Sequence, residues 1–214
     1  MILGNKMLFE GMRGPILFVK SGTSAGTVST SVAVPYPATP VSGNMIIAIV
    51  YTYNTASTPA APTGWTLGGT NINNSALGAS VYYKTSDGSE TGSVTFTGTG
   101  GESRMFGSMV EYEVNYGVAG GFDIDNSGLA GTPPAYQNPN LPTVDNSAYI
   151  CFMGNVGGST STLTLGNYTN RINVDDGLNN QVISDFIVTS STTDDGNISQ
   201  SASGWYIQGG FIIR

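Results

Sequence analysis

The stretch PVSGNMIIAIVYTYN (residues 40–54) contains the densest apolar run of the chain, from Met45 to Val50, directly after a Ser-Gly-Asn turn. This run is far shorter than the roughly 18 apolar residues of a membrane-spanning helix. Continuous apolarity with β-branched side chains is typical of a central sandwich strand, buried on one face and covered at its ends on the other. We therefore predict a central β-strand over residues 45–53.

The loop after this strand returns to the core through a Pro-Thr-Gly-Trp corner. NTASTPAAPTG (residues 54–64) has no apolar spacing and is rich in turn residues, which is typical of a surface loop. The large ring of Trp65 is predicted to plug the end of the layered fold. Gly64 is predicted to supply a backbone angle, or a close approach, that a Cβ would forbid.

Short apolar or alternating runs, separated by turn residues, continue along the chain. TVSTSVAVPYP (residues 27–37) alternates valine with small and hydroxyl residues until Pro35, as a half-buried strand does. The only helical candidate is a turn or two near residues 176–184, and no capped helix, heptad or repeat of fixed period is visible. These patterns predict an all-β protein, an antiparallel β-sandwich (jelly-roll-like) with roughly nine to eleven strands.

Composition agrees with this class and narrows the function. Only 10% of the 214 residues are charged and 30 are glycine, so the side chains that helix surfaces need are scarce. Seven basic and fourteen acidic residues give a net charge of −7, which repels phosphate backbones, so we expect no nucleic-acid partner. The absence of histidine removes the commonest general base and transition-metal ligand, so we expect neither an enzyme nor a cofactor.

The sequence also predicts the domain organisation. Residues 1–14 are irregular and glycine-punctuated, and are predicted to form an N-terminal arm that docks on a partner. Residues 15–214 are predicted to form a single β-sandwich domain with a long crossover near residues 117–146. The chain start lacks a continuous apolar segment and a cleavage site, so we expect no signal peptide, synthesis in a cytoplasm and no membrane partner. The partner-binding residues assigned to the arm are Met7, Leu8, Phe9 and Met12.

One acidic segment has the beginning of a calcium-binding pattern. DIDNSG (residues 123–128) alternates oxygen-bearing side chains and has glycine at its sixth position. The twelfth position, which holds a bidentate glutamate in the helical version of the loop, is Pro134. Residues 175–177 and 194–197 are acidic turns as well, and adjacent carboxylates on turns are usually solvated. Ordinary Asx-rich turns are therefore favoured, and we predict no metal site.

Two further features have both a chemical and a structural interpretation. Glu111 and Glu113 lie on one predicted strand face about 6.5–7 Å apart, which is within the separation of the paired carboxylates of glycosidases. Those pairs lie in a sugar cleft and normally come from different strands, so a solvated or inter-subunit strand face is favoured. Cys151 lies in the apolar run AYICFMG, which favours burial in the core over a reactive thiol.

Tyrosines predicted at strand ends or in loops leave alternatives open. Aromatic rings beside asparagine and aspartate form sugar-stacking platforms, and they also form protein interfaces. A third interpretation is that the rings cover the edges of the sandwich. The residues concerned are Tyr51, Tyr53, Tyr116, Tyr136 and Tyr168.

Taken together, the turns and strands resemble a group of β-sandwich domains found in tailed-phage virion proteins. The matching pieces are PVSGN, MIIAIV, APTGWTL, SVYYKTSDGSETGSVTFTG and the closing GWYIQGGFIIR, which cover most of residues 15–116 and the last strand. Each piece is a turn or a core ring, so the resemblance implies a fold and brings no catalytic residue. In such families the domain serves as a capsid decoration (cement) protein, a head or tail fibre module, or a host-attachment head.

The resemblance implies a non-enzymatic virion structural protein. The first expectation is a capsid decoration protein that binds the outer capsid surface and stabilises the shell. Its partner would be the major capsid protein or another virion protein, and a homo-oligomer is expected, with a trimer favoured. The alternative is a carbohydrate-binding host-attachment module of a tail fibre or spike. Fibre modules normally carry a stalk or an anchoring domain, which this sequence does not show, and this favours the decoration protein.

Overall fold

All regular secondary structure in the described part of the chain is β-strand. The computed structural model describes residues 16–23, 25–55, 57–73, 77–114, 147–156, 161–164, 168–175, 179–188, 197–200 and 205–213. These residues form β1 (Leu17–Ser21), β2 (Ala25–Thr27), β3 (Ser31–Pro35), β4 (Met45–Tyr53), β5 (Thr66–Asn73), β6 (Leu77–Thr85), β7 (Ser93–Thr97), β8 (Arg104–Glu113), β9 (Ser147–Val156), β10 (Ser161–Thr164), β11 (Thr169–Asp175), β12 (Asn179–Val188), β13 (Asn197–Gln200) and β14 (Trp205–Ile213).

The predicted antiparallel β-sandwich is confirmed. The described residues contain fourteen strands, more than the nine to eleven expected, because β2, β10 and β13 are only three or four residues long. Strands this short leave little alternation to read in a sequence. None of the described residues belongs to a helix long and apolar enough to cross a membrane.

Two large sheets face each other across a shared core. The six-stranded sheet has the order β1-β8-β4-β6-β5, with β2 also paired to β8, and the four-stranded sheet has the order β11-β12-β9-β14. Across the interface β4 packs against β9, β8 against β12 and β6 against β14. The core contains Ile47 and Ile49 from one sheet and Ile150, Phe152 and Phe211 from the other.

A second core lies on the opposite face of the six-stranded sheet, under the two-stranded sheet of β3 and β7. Val34 and Phe96 from that pair pack with Ile46 and Val50 of β4. Alternate residues of β4 thus face two different cores, which explains its continuous apolarity. The predicted central strand is confirmed, and its burial is more complete than expected: the first eight of its nine residues are buried.

The burial predicted for Trp65 after the Pro-Thr-Gly corner is confirmed, and its ring lies in the second core, under β3 and β7. Trp65 is only 7% exposed, and its ring lies 6.2 Å from that of Tyr36 and 5.7 Å from that of Phe96, between ring centroids. The backbone N–H of Trp65 donates to the carbonyl of Pro62 at 3.0 Å. Gly64 has a φ of +82° and open space where a Cβ would stand. Its role is therefore the backbone angle and not a close approach.

The N-terminal half (residues 16–114) and the C-terminal half (residues 147–213) repeat one strand arrangement. The order β8-β4-β6-β5 in the first corresponds to β14-β9-β12-β11 in the second. Both edge strands carry a β-bulge at the same place, after Leu67 in β5 and after Asn170 in β11, 103 residues later. A buried aromatic residue stands two positions before each bulge, Trp65 and Tyr168. The sequence alone did not reveal this repeat.

The two halves are packed in the manner of a two-fold dimer. By the correspondence above, β12 is the counterpart of β6, and β14 is the counterpart of β8. Because β8 faces β12 and β6 faces β14, each half contributes the same strands to the interface in exchanged positions. This is the pattern of an isologous interface, here formed within one chain.

One secondary-structure prediction was wrong, and several lie outside the described residues. The helical turn expected near residues 176–184 is contradicted from residue 179 onward, where β12 begins. Ile183 faces the inter-sheet core whereas Val182 faces a third core on the other side of the sheet, which is the two-residue period of a strand. The predicted arm (residues 1–14), with Met7, Leu8, Phe9 and Met12, and the predicted crossover (117–146) lie outside the described ranges.

Candidate docking surface

Glu111 of β8 holds the loop between β3 and β4 in place by accepting hydrogen bonds from it. Its side chain in β8 is completely buried, whereas Glu113 is exposed, so the prediction of a shared solvated face is wrong for Glu111. Glu111 Oε1 accepts hydrogen bonds from Asn44 Nδ2 at 2.6 Å and from the backbone N–H of Val41 at 2.9 Å. The carboxylate therefore replaces water as the partner of the loop, as a buried charge requires.

Lys20 completes this anchor from the edge strand β1. Its Nζ lies 3.5 Å from Oε2 of Glu111 and donates to the carbonyl of Thr39 at 2.6 Å. The ammonium group thus compensates the buried carboxylate and binds the same loop. Because Lys20 itself is partly exposed, we regard the pair as a positioning contact more than a large source of stability.

A second buried carboxylate closes the loop between β6 and β7. Glu90 accepts hydrogen bonds from Ser86 Oγ at 2.7 Å and from the backbone N–H of Gly88 at 3.1 Å, and its Oε1 lies 2.7 Å from Lys84 Nζ. Burial alone would raise the pKa of Glu90, but the hydrogen bonds from Lys84 and Ser86 outweigh it and lower the pKa to about 2. At neutral pH the carboxylate is ionised and holds the turn.

These two loops, residues 39–44 and 86–92, are hydrogen-bonded to each other and form one unit, which we call the anchored loops. The backbone N–H of Gly43 donates to the carbonyl of Ser86 at 2.9 Å, and the N–H of Ser86 donates to the carbonyl of Asn44 at 2.7 Å. Paired backbone groups and buried carboxylates that accept hydrogen bonds fix the loop backbone. A surface built on them is therefore ordered before any partner arrives.

Three large apolar side chains are exposed around the end of β8 beside the anchored loops. Val41 is 52% exposed, Leu17 is 46% exposed and Val19 is 37% exposed. Leu17 pairs with Glu113 of β8, and the N–H of Val41 is bonded to Glu111 of the same strand. We call these three residues the apolar patch. Leu17 and Val19 lie on β1, whereas Val41 lies in the loop between β3 and β4.

A third buried carboxylate closes the β7–β8 loop at the opposite end of the sheet. Glu102 accepts hydrogen bonds from the backbone N–H groups of Thr99 at 2.7 Å, Gly100 at 2.9 Å and Gly101 at 3.0 Å, and from the hydroxyl of Ser57. Burial alone would raise the pKa of Glu102, but the hydrogen bonds outweigh burial and lower the pKa to about 2. All three buried glutamates of the N-terminal half therefore serve the loops.

The interface between the two large sheets contains an ion pair whose carboxylate is buried and whose arginine is partly exposed. Arg171 Nε lies 2.9 Å from both carboxylate oxygens of Asp185, and Tyr112 donates its hydroxyl to Asp185 Oδ2 at 2.7 Å. The guanidinium lies 4.0 Å from the ring centroid of Phe18. Burial raises the pKa of Tyr112 and the Asp185 charge raises it further, so the hydroxyl remains a donor. These contacts fix β11 and β12 on β1 and β8.

The tyrosines singled out in the sequence are not grouped on the described surface. Tyr51 lies within β4 and is completely buried, whereas Tyr168 lies at a strand end, directly before β11, and is only 7% exposed. Both rings pack in apolar clusters, so neither is an exposed ring. Tyr53 is partly buried against the inter-sheet core. Tyr116 and Tyr136 lie outside the described residues.

The remaining chemical candidates take no part in the surface. Burial of Cys151 is confirmed. Asp175 is at the exposed end of β11, while the other acidic turn residues and the DIDNSG segment (123–128) lie outside the described residues. Where side chains are described, no three His, Cys, Asp or Glu groups come together in a way that could hold a metal ion.

Sequence reasoning missed the buried carboxylates of the loops, although a signal was present. The segments SDGSE (86–90) and TGGE (99–102) each place a glutamate after glycine and hydroxyl residues, whose backbone N–H groups are accessible to an acceptor. Glutamate in such a turn indicates a loop whose backbone N–H groups are bound by a buried carboxylate.

Comparison of the chain with protein-family models, curated proteins and solved structures gave no match.

Proposed function

We propose that this chain is a non-enzymatic phage virion structural protein that decorates the outer surface of a capsid and stabilises the shell. The observation that supports it is the apolar patch, with Leu17 and Val19 exposed on β1 and Val41 exposed on the anchored loops. Single exposed apolar residues are ordinary on protein surfaces. Here three of them surround one strand end, and hydrogen bonds fix the backbone of the loop that carries Val41.

Such a surface suits a protein that binds in many copies. Fixed loops lose little conformational entropy on docking, so a modest apolar contact is retained as affinity. Repeated contacts by neighbouring copies on a lattice add through effective concentration. The proposed partner is the major capsid protein or another virion protein, and the proposed assembly is a homo-oligomer, with a trimer favoured.

Carbohydrate binding receives less support from the geometry. The rings of Tyr51 and Tyr168 are buried and cannot stack on a sugar. An open groove of about 390 Å³ between β2 and β3 is lined by small aliphatic and hydroxyl residues, among them Thr27, Ser31 and Thr95. No aromatic ring lines this groove, so the described surface offers no stacking platform there.

The first test is the copy number in purified virions, measured by quantitative mass spectrometry. Decoration predicts on the order of hundreds of copies per particle, because each lattice position offers the same site. A handful of copies would indicate a tail or spike component, and absence from the particle would exclude a virion protein.

The second test asks whether the arm and the apolar patch contribute to particle binding without contributing to the stability of the fold. Deletion of residues 1–14, or Leu17→Ser with Val41→Ser, is expected to lower binding to particles about tenfold or more while the denaturant midpoint changes little. Val28→Ser is the matched control, because Val28 is 73% exposed and does not belong to the patch. Retained binding by both the deletion and the double variant would contradict the proposed docking surface.

A further inference from the structure

Three side chains with complementary chemistry meet beside the anchored loops: an amine, a carboxamide and a carboxylate. Lys20 of β1 stands directly opposite Glu111 in the β1–β8 ladder, and its Nζ lies 3.5 Å from Glu111 Oε2. Asn44 directly precedes β4, which pairs with the other side of β8, and its Nδ2 donates to Glu111 Oε1 at 2.6 Å. An amine and a carboxamide therefore contact the two oxygens of one carboxylate.

The carboxamide of this group is held in place and shielded from water. Asn44 is 7% exposed and Glu111 is completely buried. The backbone N–H of Asn44 donates to the carbonyl of Val41 at 3.1 Å, and its carbonyl accepts from the N–H of Ser86 at 2.7 Å. A side chain on a fixed backbone, in a site with little water, is protected from hydrolysis and available to a neighbouring nucleophile.

The carboxylate has one oxygen available for proton transfer. Within the part of the chain that the structure describes, Glu111 Oε2 accepts no hydrogen bond, although it is buried. The Lys20 ammonium, whose side chain is 29% exposed, is the ion-pair partner of that oxygen. A buried acceptor beside an amine is the arrangement that general base catalysis requires.

We propose that Lys20 and Asn44 form an isopeptide bond between Nζ and Cγ, with Glu111 as the group that transfers the protons. Glu111 Oε2 takes a proton from the Lys20 ammonium, and the nitrogen lone pair of the resulting amine adds to Cγ of Asn44. The bond from Cγ to Nδ2 then breaks. Two of the three ammonium protons pass to Nδ2 through the carboxylate, so this nitrogen leaves as an ammonium ion and nothing is oxidised or reduced.

Proximity supplies the rate that such a reaction lacks in water. Reactants held together on one scaffold reach effective molarities on the order of 10⁵–10⁸ M, and a positioned proton-transfer group adds on the order of 10²–10⁴-fold. Lys20 Nζ donates to the carbonyl of Thr39 at 2.6 Å, so the amine must turn from Thr39 to Asn44, which its flexible four-carbon stem allows. The chain reacts once with itself and has no turnover, so the bond is compatible with a structural protein.

A second lysine–glutamate pair in the chain lacks the third partner. Lys84 Nζ lies 2.7 Å from Glu90 Oε1, but the other described donors to Glu90 are the hydroxyl of Ser86 and backbone N–H groups. Because no described carboxamide contacts this carboxylate, no bond is expected at Lys84. Lys84 is therefore the matched control for Lys20.

The bond would attach an end strand of the sheet covalently. β1 is the terminal strand in the described order of the six-stranded sheet, and its ladder with β8 has four residue pairs and a bulge. A link from Lys20 to Asn44 joins β1 to the start of β4 across β8, so β1 cannot separate from the sheet unless a covalent bond breaks. This stabilisation goes beyond the proposed function and does not depend on it.

The first experiment is mass spectrometry of the full chain. The intact mass is expected to be lower than the mass of the sequence by one ammonia molecule. Trypsin should leave the peptide bond after Lys20 uncut, because it requires an unmodified lysine side chain, and fragmentation of the resulting peptide (residues 14–84) should release nothing between Lys20 and Asn44. The full sequence mass, or a loss of ammonia located elsewhere in the chain, would overturn the proposal.

Variants assign the bond to its residues. Lys20→Arg keeps the positive charge and Asn44→Ala removes the carboxamide, so each should have the mass of its own sequence, whereas Lys84→Arg should still lack one ammonia. Glu111→Gln removes the proton acceptor and should leave most chains unlinked. Circular dichroism checks that each variant is folded. The proposal is overturned by a loss of ammonia that persists in folded Lys20→Arg or Asn44→Ala, that disappears in Lys84→Arg, or that is as complete in folded Glu111→Gln as in the wild type.

Discussion

The two halves of the molecule have the same strand order and the same bulge position, yet different polar groups complete them. The N-terminal half uses buried glutamates that bind loops at the strand ends, Glu90, Glu102 and Glu111. In the C-terminal half the described ion pair, Arg171 with Asp185, points into the interface between the sheets. The shared part is the alternation of apolar residues about paired strands. The arrangement therefore depends on apolar pattern and register, and different polar contacts are compatible with it.

The clearest difference lies where the halves meet, at the counterparts Tyr51 and Gly154. The ring of Tyr51 fills the space over Gly154, and a Cβ added to the glycine would stand 2.3 Å from Cδ1 of the tyrosine. In a dimer of identical chains, two equal residues would have to share the region of a two-fold axis. Because the two halves belong to one chain, their counterpart residues can differ. A large ring at Tyr51 can therefore fill the space over Gly154, which has no side chain, and the contact between the halves is closely packed.

The largest expected effect tests whether Trp65 and Tyr168 are true counterparts. Each is buried beside its β-bulge, so Trp65→Ala and Tyr168→Ala should each lower the free energy of unfolding by about 3–5 kcal/mol. Denaturant titration of both variants measures this directly. If Trp65→Ala lowered the free energy of unfolding by less than about 1 kcal/mol, Trp65 would be a surface ligand residue and not a core residue. If only Tyr168→Ala had so small an effect, Trp65 and Tyr168 would not be structural counterparts.

A smaller effect is expected at the contact between the halves. Gly154→Ala should cost about 1–3 kcal/mol, because the added methyl group meets the ring of Tyr51. The same substitution in a Tyr51→Leu background should cost less, since the smaller side chain leaves room. The double-mutant cycle measures this coupling in the free energy of unfolding. Additive losses would show that the two residues do not share the space.

The fold class was predictable because alternation and turn residues are local signals. The run Met45 to Val50 predicted a central strand, and Gly64 and Trp65 predicted the corner, since each feature depends on its own neighbourhood in the chain. The repeat between the halves was not predictable in this way. Its strands share register and bulge position while their side chains differ, as Tyr51 and Gly154 illustrate.

The candidate docking surface was only partly predictable. Residues 1–14 suggested an arm, but the apolar patch needs the pairing of Leu17 with Glu113 and the bond from Val41 to Glu111, which join distant parts of the chain. Charge alone was misleading for Glu111, because a carboxylate with hydrogen-bond donors on several sides is stable in the interior. Partners of that kind come from the tertiary fold and not from the local sequence.

The smallest expected effect is on the pH dependence of stability. It arises from Glu90 and Glu102, which both belong to the N-terminal half. Both have folded-state pKa values of about 2, below the ordinary value of 4.5. A lowered folded pKa gives stability that is complete above about pH 4.5 and is lost as the pH falls towards 2. For each carboxyl group the loss between pH 7 and pH 4 should be about 1 kcal/mol or less, measured as the change in the free energy of unfolding.

Glutamine variants isolate this dependence. Glu90→Gln and Glu102→Gln should each be less stable than the wild type at pH 7, and each should flatten the acid limb of the stability curve by one carboxyl group. Hydrogen exchange at pH 4 should rise first in residues 86–92 and 98–103, because both carboxylates close loops of the N-terminal half. An acid limb as steep in both variants as in the wild type would mean that these carboxylates do not hold the loops, and that the N-terminal half is fixed by its apolar cores alone.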